Sequence, residues 1–130
     1  MTQPPYAGTL LIVDDREDIR RAMARYFSLY FEAVYVAATP NEAENILQKY
    51  SPTFLLCDYW LGEDFPPSTA LIPGWRQLAP SIKSVALMTG TKISAIGSIP
   101  CVDAVFQKPL EPSHVVDFFL GRNARERSSR

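Results

Sequence analysis

The residues best suited to chemistry in this 130-residue sequence are three aspartates placed at the ends of short apolar runs. Asp14 and Asp15 follow TLLIV at 9–13, and Asp58 follows TFLLC at 53–57. A hydroxyl, Thr89, follows SVALM at 84–88, and an ammonium, Lys108, stands just after AVF at 104–106 and just before Pro109. Singly, each has an ordinary structural use: an Asp after a strand caps the next helix, a Thr in a loop bonds nearby backbone, and Lys-Pro is common in turns. At one shared rim they would behave differently. Three carboxylates within a few Å repel one another by about 4 kcal/mol per pair at 4 Å and an effective dielectric of 20, more than one ammonium offsets. A cation is required, and oxygen-only donors with no His or Cys beside them select a hard ion, with partly hydrated Mg²⁺ fitting best. Mg²⁺ beside a carboxylate, with Thr89 and Lys108 as further donors, is equipped to receive phosphoryl oxygens. Asp58 is then the candidate nucleophile, because an ionised carboxylate can accept a phosphoryl group to give an acyl phosphate.

That convergence depends on the elements between. The four runs named above and a fifth, AVYVAA at 33–38, have strand length and are nearly continuous rather than alternating, as expected of strands covered on both faces in a parallel sheet. Residues 16–31 place Ile19, Met23, Tyr26, Phe27 and Tyr30 at spacings of three and four, which predicts an amphipathic helix with a packed aromatic face and Arg16, Arg20, Arg21 and Arg25 mostly elsewhere. A second helix begins after Thr39, with Pro40 at its first position and Glu42 closing a capping box. A last helix runs from about Pro112 to Leu120, ended by Gly121. Pro66, Pro67, Pro73 and Pro80 confine the third helix to about 68–78, short or broken, and Gly97 and Pro100 leave a fourth only about two turns within 91–102. The alternation predicts one α/β domain, an open doubly wound parallel sheet of five strands made by right-handed crossovers. In such sheets the working site lies beyond the carboxyl ends of the strands, where the five residues stand.

Composition narrows the classes. With 47% hydrophobic residues the chain is sized for one buried core, taken as residues 8–121, with 1–7 as an N-terminal extension and 122–130 as an Arg-rich tail. Thirteen basic against fourteen acidic residues give a net charge of −1, which argues against a domain that lives on nucleic-acid phosphates. No apolar run approaches the roughly 18 to 20 residues of a membrane span, and the start lacks a signal-peptide layout, so a cytoplasmic location is expected. Cys57 and Cys101 form no metal-ligand spacing and are read as free thiols, Cys57 buried and facing away from the rim. His114, the single histidine, is read as a solvent-facing helix residue.

The array LLIVDD, LLCDYWL, VALMTGT and VFQKP closely resembles the receiver domain of two-component response regulators over nearly the whole chain, about 8 to 121. The resemblance implies a flavodoxin-like sheet of order 2-1-3-4-5. It implies Asp14 and Asp15 as the Mg²⁺-binding acid pair, Asp58 as phosphoacceptor and further ligand, and the backbone carbonyl of Trp60 as another metal ligand. Thr89 would be the switch hydroxyl, Lys108 the partner of the phosphoryl group, and the Lys108–Pro109 bond cis. It further implies a histidine kinase or histidine phosphotransfer protein as partner, other domains of a hybrid kinase or larger regulator as possible neighbours, and signalling by conformational switching rather than enzymatic turnover. Three positions depart from the pattern. Gly62 stands where Pro is expected, Val105 where an aromatic often sits, with Phe106 pointing the other way, and Trp60 brings a large ring to a position that in the family helps set the lifetime of the phosphoryl group. Slow autodephosphorylation is expected from Trp60 if the ring impedes an attacking water. Two rivals stand beside this reading: a receiver-like module that docks without accepting phosphate, and a Mg²⁺-dependent phosphohydrolase working through an aspartyl phosphate. The second would usually need another Asp two residues after its nucleophile, and Arg16 after Asp14 or Trp60 after Asp58 does not supply it.

Overall fold

Strand-length runs of β-branched and long aliphatic residues, separated by capped helices, fold here into a five-stranded all-parallel sheet of order β2-β1-β3-β4-β5. The structure is a computed structural model describing residues 8–90 and 99–122. In chain order the elements are β1 (Thr9–Val13), α1 (Glu17–Phe27), β2 (Ala33–Ala37), α2 (Pro40–Tyr50), β3 (Phe54–Asp58), a 3₁₀ turn (Ser68–Ala70), α3 (Ile72–Leu78), β4 (Ser84–Thr89), β5 (Ala104–Gln107) and α4 (Pro112–Phe119). The expected flavodoxin-like order is found.

Alternate strand residues feed two cores. Leu11, Val13, Leu55, Cys57, Val85 and Leu87 face α2 and α3, meeting Ala43, Leu47, Ile72 and Trp75. Leu10, Ile12, Leu56, Ala86 and Met88 face α1 and α4, meeting Met23, Phe27, Val115, Val116 and Phe119. Every residue of β3 is buried, which is why its sequence runs apolar without alternation until Asp58. The central strands are held in register by Val13 against Cys57 and Asp58 against Met88, so their carboxyl ends finish level.

Helix α2 starts as its sequence predicts. The Thr39 hydroxyl accepts from the Glu42 N–H at 3.2 Å, and the Glu42 carboxylate accepts from the Ala38 N–H at 2.8 Å, one residue before the cap. The first helix corrects the expectation of 16–31, because it ends at Phe27. The N–H groups of Leu29 and Tyr30 bond three residues back to Tyr26 and Phe27, tightening the chain so that Phe31 drops into the core before β2 begins. The third helical stretch is broken as expected, a 3₁₀ turn followed by a seven-residue helix with Pro73 in its first turn. Most of the expected fourth helix lies outside the described residues, and 99–103 approach β5 without helix.

Candidate functional site

At the carboxyl edge of the sheet the chain leaves β1 and β3 side by side, and this brings Asp14, Asp15 and Asp58 together. Each can offer one oxygen such that all three lie within 4.8 Å of one another. Asp14 is wholly buried, Asp58 nearly so and Asp15 exposed. Lys108, delivered by β5, donates to Asp58 Oδ2 at 2.9 Å. Its Nζ also lies 3.5 Å from Asp14 Oδ2, close enough for Coulombic attraction, yet that oxygen is left buried without a hydrogen bond. The backbone of Lys108 is tied to β4, its N–H donating to the Thr89 carbonyl at 2.8 Å, and the Lys108–Pro109 bond is cis as the resemblance implied.

A cleft of about 380 Å³ opens over these groups, lined by Asp15, Asp58, Tyr59, Trp60, Thr89, Gly90 and Lys108. All six residues singled out in the sequence therefore meet at one place: Thr89, buried at the end of β4, and Trp60, 48% exposed, close the ring begun by the acids and the lysine. The Trp60 N–H faces Asp58 Oδ1 at 3.5 Å. Cys57 points the opposite way into the α2 and α3 core, where burial pushes its thiol up to about 12.

The electrostatics follow from burial. Desolvation raises the Asp58 carboxyl above its usual range, and the hydrogen bond and charge of Lys108 offset only part of that rise. Lys108 is raised as well: burial lowers it, but the bond to Asp58 and the charges of Asp58 and Asp14 outweigh that and hold it above its ordinary value. Three acids and one ammonium leave negative charge in excess, and Asp14 Oδ2 is a buried acceptor without a hydrogen bond, facing the Lys108 ammonium at 3.5 Å. The donors are all carboxylate oxygens, so the residues present fit a hard divalent ion such as Mg²⁺.

The loop after Asp58 explains one departure from the familiar pattern. Gly62 has φ of 126°, a conformation open to glycine and closed to proline, whose ring fixes φ near roughly −65°. The Gly62 carbonyl accepts from the Phe65 N–H at 3.2 Å, closing a turn that sends Trp60 to the cleft and Leu61 into the core. Val105 and Phe106 face opposite cores as expected, Phe106 packing edge-on against Phe118 at 6.0 Å. His114 is exposed.

The fold coincides with that of known structures. A response regulator from Burkholderia pseudomallei, solved with a phosphorylated aspartic acid, a calcium ion and citrate, superposes with a TM-score of 0.73 at 22% identity, covering 93% of this chain and 69% of that one. A CheY-like response regulator receiver domain from Methanospirillum hungatei gives 0.73 at 22%, covering 96% of this chain and 100% of that one. The chain has the receiver-domain fold. NtrX from Brucella abortus, solved with ADP, gives 0.74 at 21% identity, and there the receiver-like chain covers 96% of itself but only 28% of its counterpart. No protein-family model matches the sequence, and no curated protein sequence matches it. Its receiver likeness is therefore carried by structure and by the rim residues. Among the described residues, no helix is long and apolar enough to cross a membrane.

Sequence reasoning overlooked one contributor to the rim. The Arg20 guanidinium donates to the main-chain oxygen of Asp14 at 2.9 Å. Its helical position sets Arg20 off the apolar stripe, and nothing in the local pattern signals that it turns back toward the strand end.

Proposed function

We propose that this chain, through the unit 8–121, is a phosphoacceptor receiver of a two-component or phosphorelay system. In this reading Asp58 Oδ attacks the phosphorus of a phosphohistidine on a histidine kinase or phosphotransfer protein, the P–N bond breaks, and the histidine nitrogen leaves with the electron pair. Asp58 becomes an acyl phosphate, Lys108 moves from carboxylate to phosphoryl oxygen, and the Thr89 hydroxyl becomes a further donor. Mg²⁺, when bound, would be held by Asp14, Asp15, Asp58 and the Trp60 carbonyl and would supply the charge neutralisation that lets a carboxylate approach a phosphoryl group. The observation that carries the reading is the meeting of three carboxylates within 4.8 Å with Lys108 at 2.9 Å from Asp58. Relocating Lys108 and Thr89 toward a phosphoryl group shifts the balance between two conformations, which is the output.

A donor must reach Asp58 from the rim. Beside it, a mostly apolar groove of about 480 Å³ runs between α1 and the start of α4, with Ile19, Met23, Met88 and Leu110 in its wall and Arg16 and Lys108 at its edge. This groove suits an amphipathic helix of the donor, whose histidine would then face the cleft. Trp60, half-exposed over Asp58, is assigned the role of slowing hydrolysis by obstructing water.

The test is intact mass after incubation with Mg²⁺ and a small phosphodonor, with Asp58→Ala in parallel. One acid-stable, base-labile phosphoryl adduct is expected in the wild type and none in the variant. An adduct that persists in Asp58→Ala removes Asp58 from the role, and turnover of a generic phosphate ester would favour the phosphohydrolase. Binding of Mg²⁺ with no adduct from either a small donor or a phosphohistidine donor would favour docking alone.

A further inference from the structure

Arg20 is the fourth residue of α1 and sits within reach of an acidic cluster, yet none of the ion pairs among the described residues includes it. Its guanidinium is directed instead at a neutral group, the Asp14 carbonyl, at 2.9 Å. Asp14 is restrained elsewhere too. Its N–H donates to the Ala37 carbonyl of β2 at 3.1 Å, and its Oδ1 accepts from the Arg16 N–H at 2.9 Å. With those three atoms held, Oδ2 is the atom of Asp14 that faces the site, buried without a hydrogen bond and with the Lys108 ammonium 3.5 Å away. Asp15 has no comparable restraint: among the described residues its carboxylate makes no hydrogen bond or ion pair, so its aim depends on the peptide that joins it to Asp14. The carbonyl of that peptide is the one Arg20 grips.

We propose that Arg20 is a positioning residue for the cation site, fixing the Asp14–Asp15 peptide so that both carboxylates point at one ion. The proposal rests on the cation reading of the rim given above. By bonding the carbonyl rather than a carboxylate, Arg20 orders the acids without occupying their oxygens, which an ion pair with it would do. The two conceivable roles of this residue carry opposite signs. As a bare positive charge near the site, Arg20 would repel a divalent ion, and its removal would tighten binding. As a clamp, its removal loosens the acid pair and weakens binding, on the scale of about 10-fold or more seen when outer partners of metal ligands are lost.

Calorimetric titration of the full chain with Mg²⁺ decides between them, using wild type, Arg20→Met, Arg20→Lys and Asp15→Asn. The proposal expects binding about 10-fold weaker in Arg20→Met, partial recovery in Arg20→Lys, which restores a cationic N–H donor, and a metal-free melting temperature close to wild type in both. Arg20→Gln is read in the same way if Arg20→Met does not fold. Unchanged or tighter binding on loss of the guanidinium, with wild type and Asp15→Asn behaving as ligand and ligand-loss controls, overturns the clamp alone. Absence of binding in the wild type instead overturns the cation reading, and the clamp with it.

Discussion

The two lips of the cleft are built by different means. The β1–α1 lip, Asp14 to Arg16, is held by polar contacts: Ala37 O, the Arg16 N–H and the Arg20 guanidinium each fix one atom of Asp14. The lip after β3, Tyr59 to Phe65, is held by backbone conformation and burial. The Tyr59 N–H bonds Met88 O at 2.7 Å, Gly62 turns the chain at positive φ, and Leu61 plugs the core while Trp60 stays half outside. The first lip places charge, and each partner there fixes a separate atom of Asp14. The second places main chain and a ring, so it should tolerate changes of side chain better than changes of backbone.

The largest break in that contrast is expected at the first lip. Mg²⁺ at about 100 times its dissociation constant should stabilise the wild type by about 2.7 kcal/mol, about 10 °C in melting temperature for a chain of this size. Asp14→Asn should lose most of that gain, as read by thermal melts with and without the ion, while an undiminished gain would place the cation elsewhere. Next comes Gly62→Ala, which forces a Cβ into a glycine conformation. Space is not the obstacle, since the nearest atom to the added carbon is Phe65 Cδ2 at 3.9 Å, so the loss is backbone strain of about 1–3 kcal/mol. A melting temperature lower by several degrees with Mg²⁺ affinity changed only a few-fold would sharpen the contrast, and an unchanged melt would refute it.

A smaller effect is expected from Trp60→Asn. Removing the ring should shorten the life of the phosphorylated form several-fold, under about 1 kcal/mol in barrier, with little change in melting. Decay no faster than wild type, timed on trapped protein, would leave Trp60 as a simple cover. The mildest probe is the thiol beneath the second lip. Cys57 is buried and held protonated to about 12, whereas Cys101 is exposed, so alkylation at neutral pH should mark Cys101 alone until the protein unfolds. Because the folded thiol keeps its proton from the ordinary 9.0 up to about 12 while the unfolded chain releases it, Cys57 should also make stability fall as pH rises through that interval. In Gly62→Ala, earlier labelling of Cys57 would show that the second lip guards it.

Much of this was readable along the chain. Continuous apolar runs such as TFLLC announce strands buried on both faces, Thr39-Pro40-Asn41-Glu42 announces a helix start, and the four prolines of 66–80 announce a broken helix; each is a local steric or capping preference. The rim residues were legible because a parallel sheet sends every strand's carboxyl end to one edge. The end of the first helix was less so, since Tyr30 keeps the helical period while the need to bury Phe31 and start β2 turns the chain at Phe27. Gly62 read as a missing proline and proved to be a required glycine, because its φ is fixed by packing Leu61 inward and Trp60 outward.

Residue type and spacing thus determined the elements, their parallel arrangement and which chemical groups share an edge, because those follow from backbone sterics and hydrophobic periodicity. Only the tertiary structure decided which oxygen of Asp14 is left without a hydrogen bond, that Lys108 reaches Asp58 rather than lying midway between the acids, and that Arg20 folds back onto the Asp14 carbonyl. Those outcomes depend on distances of a few Å between residues brought together from separate strands and helices, and no local preference sets such distances.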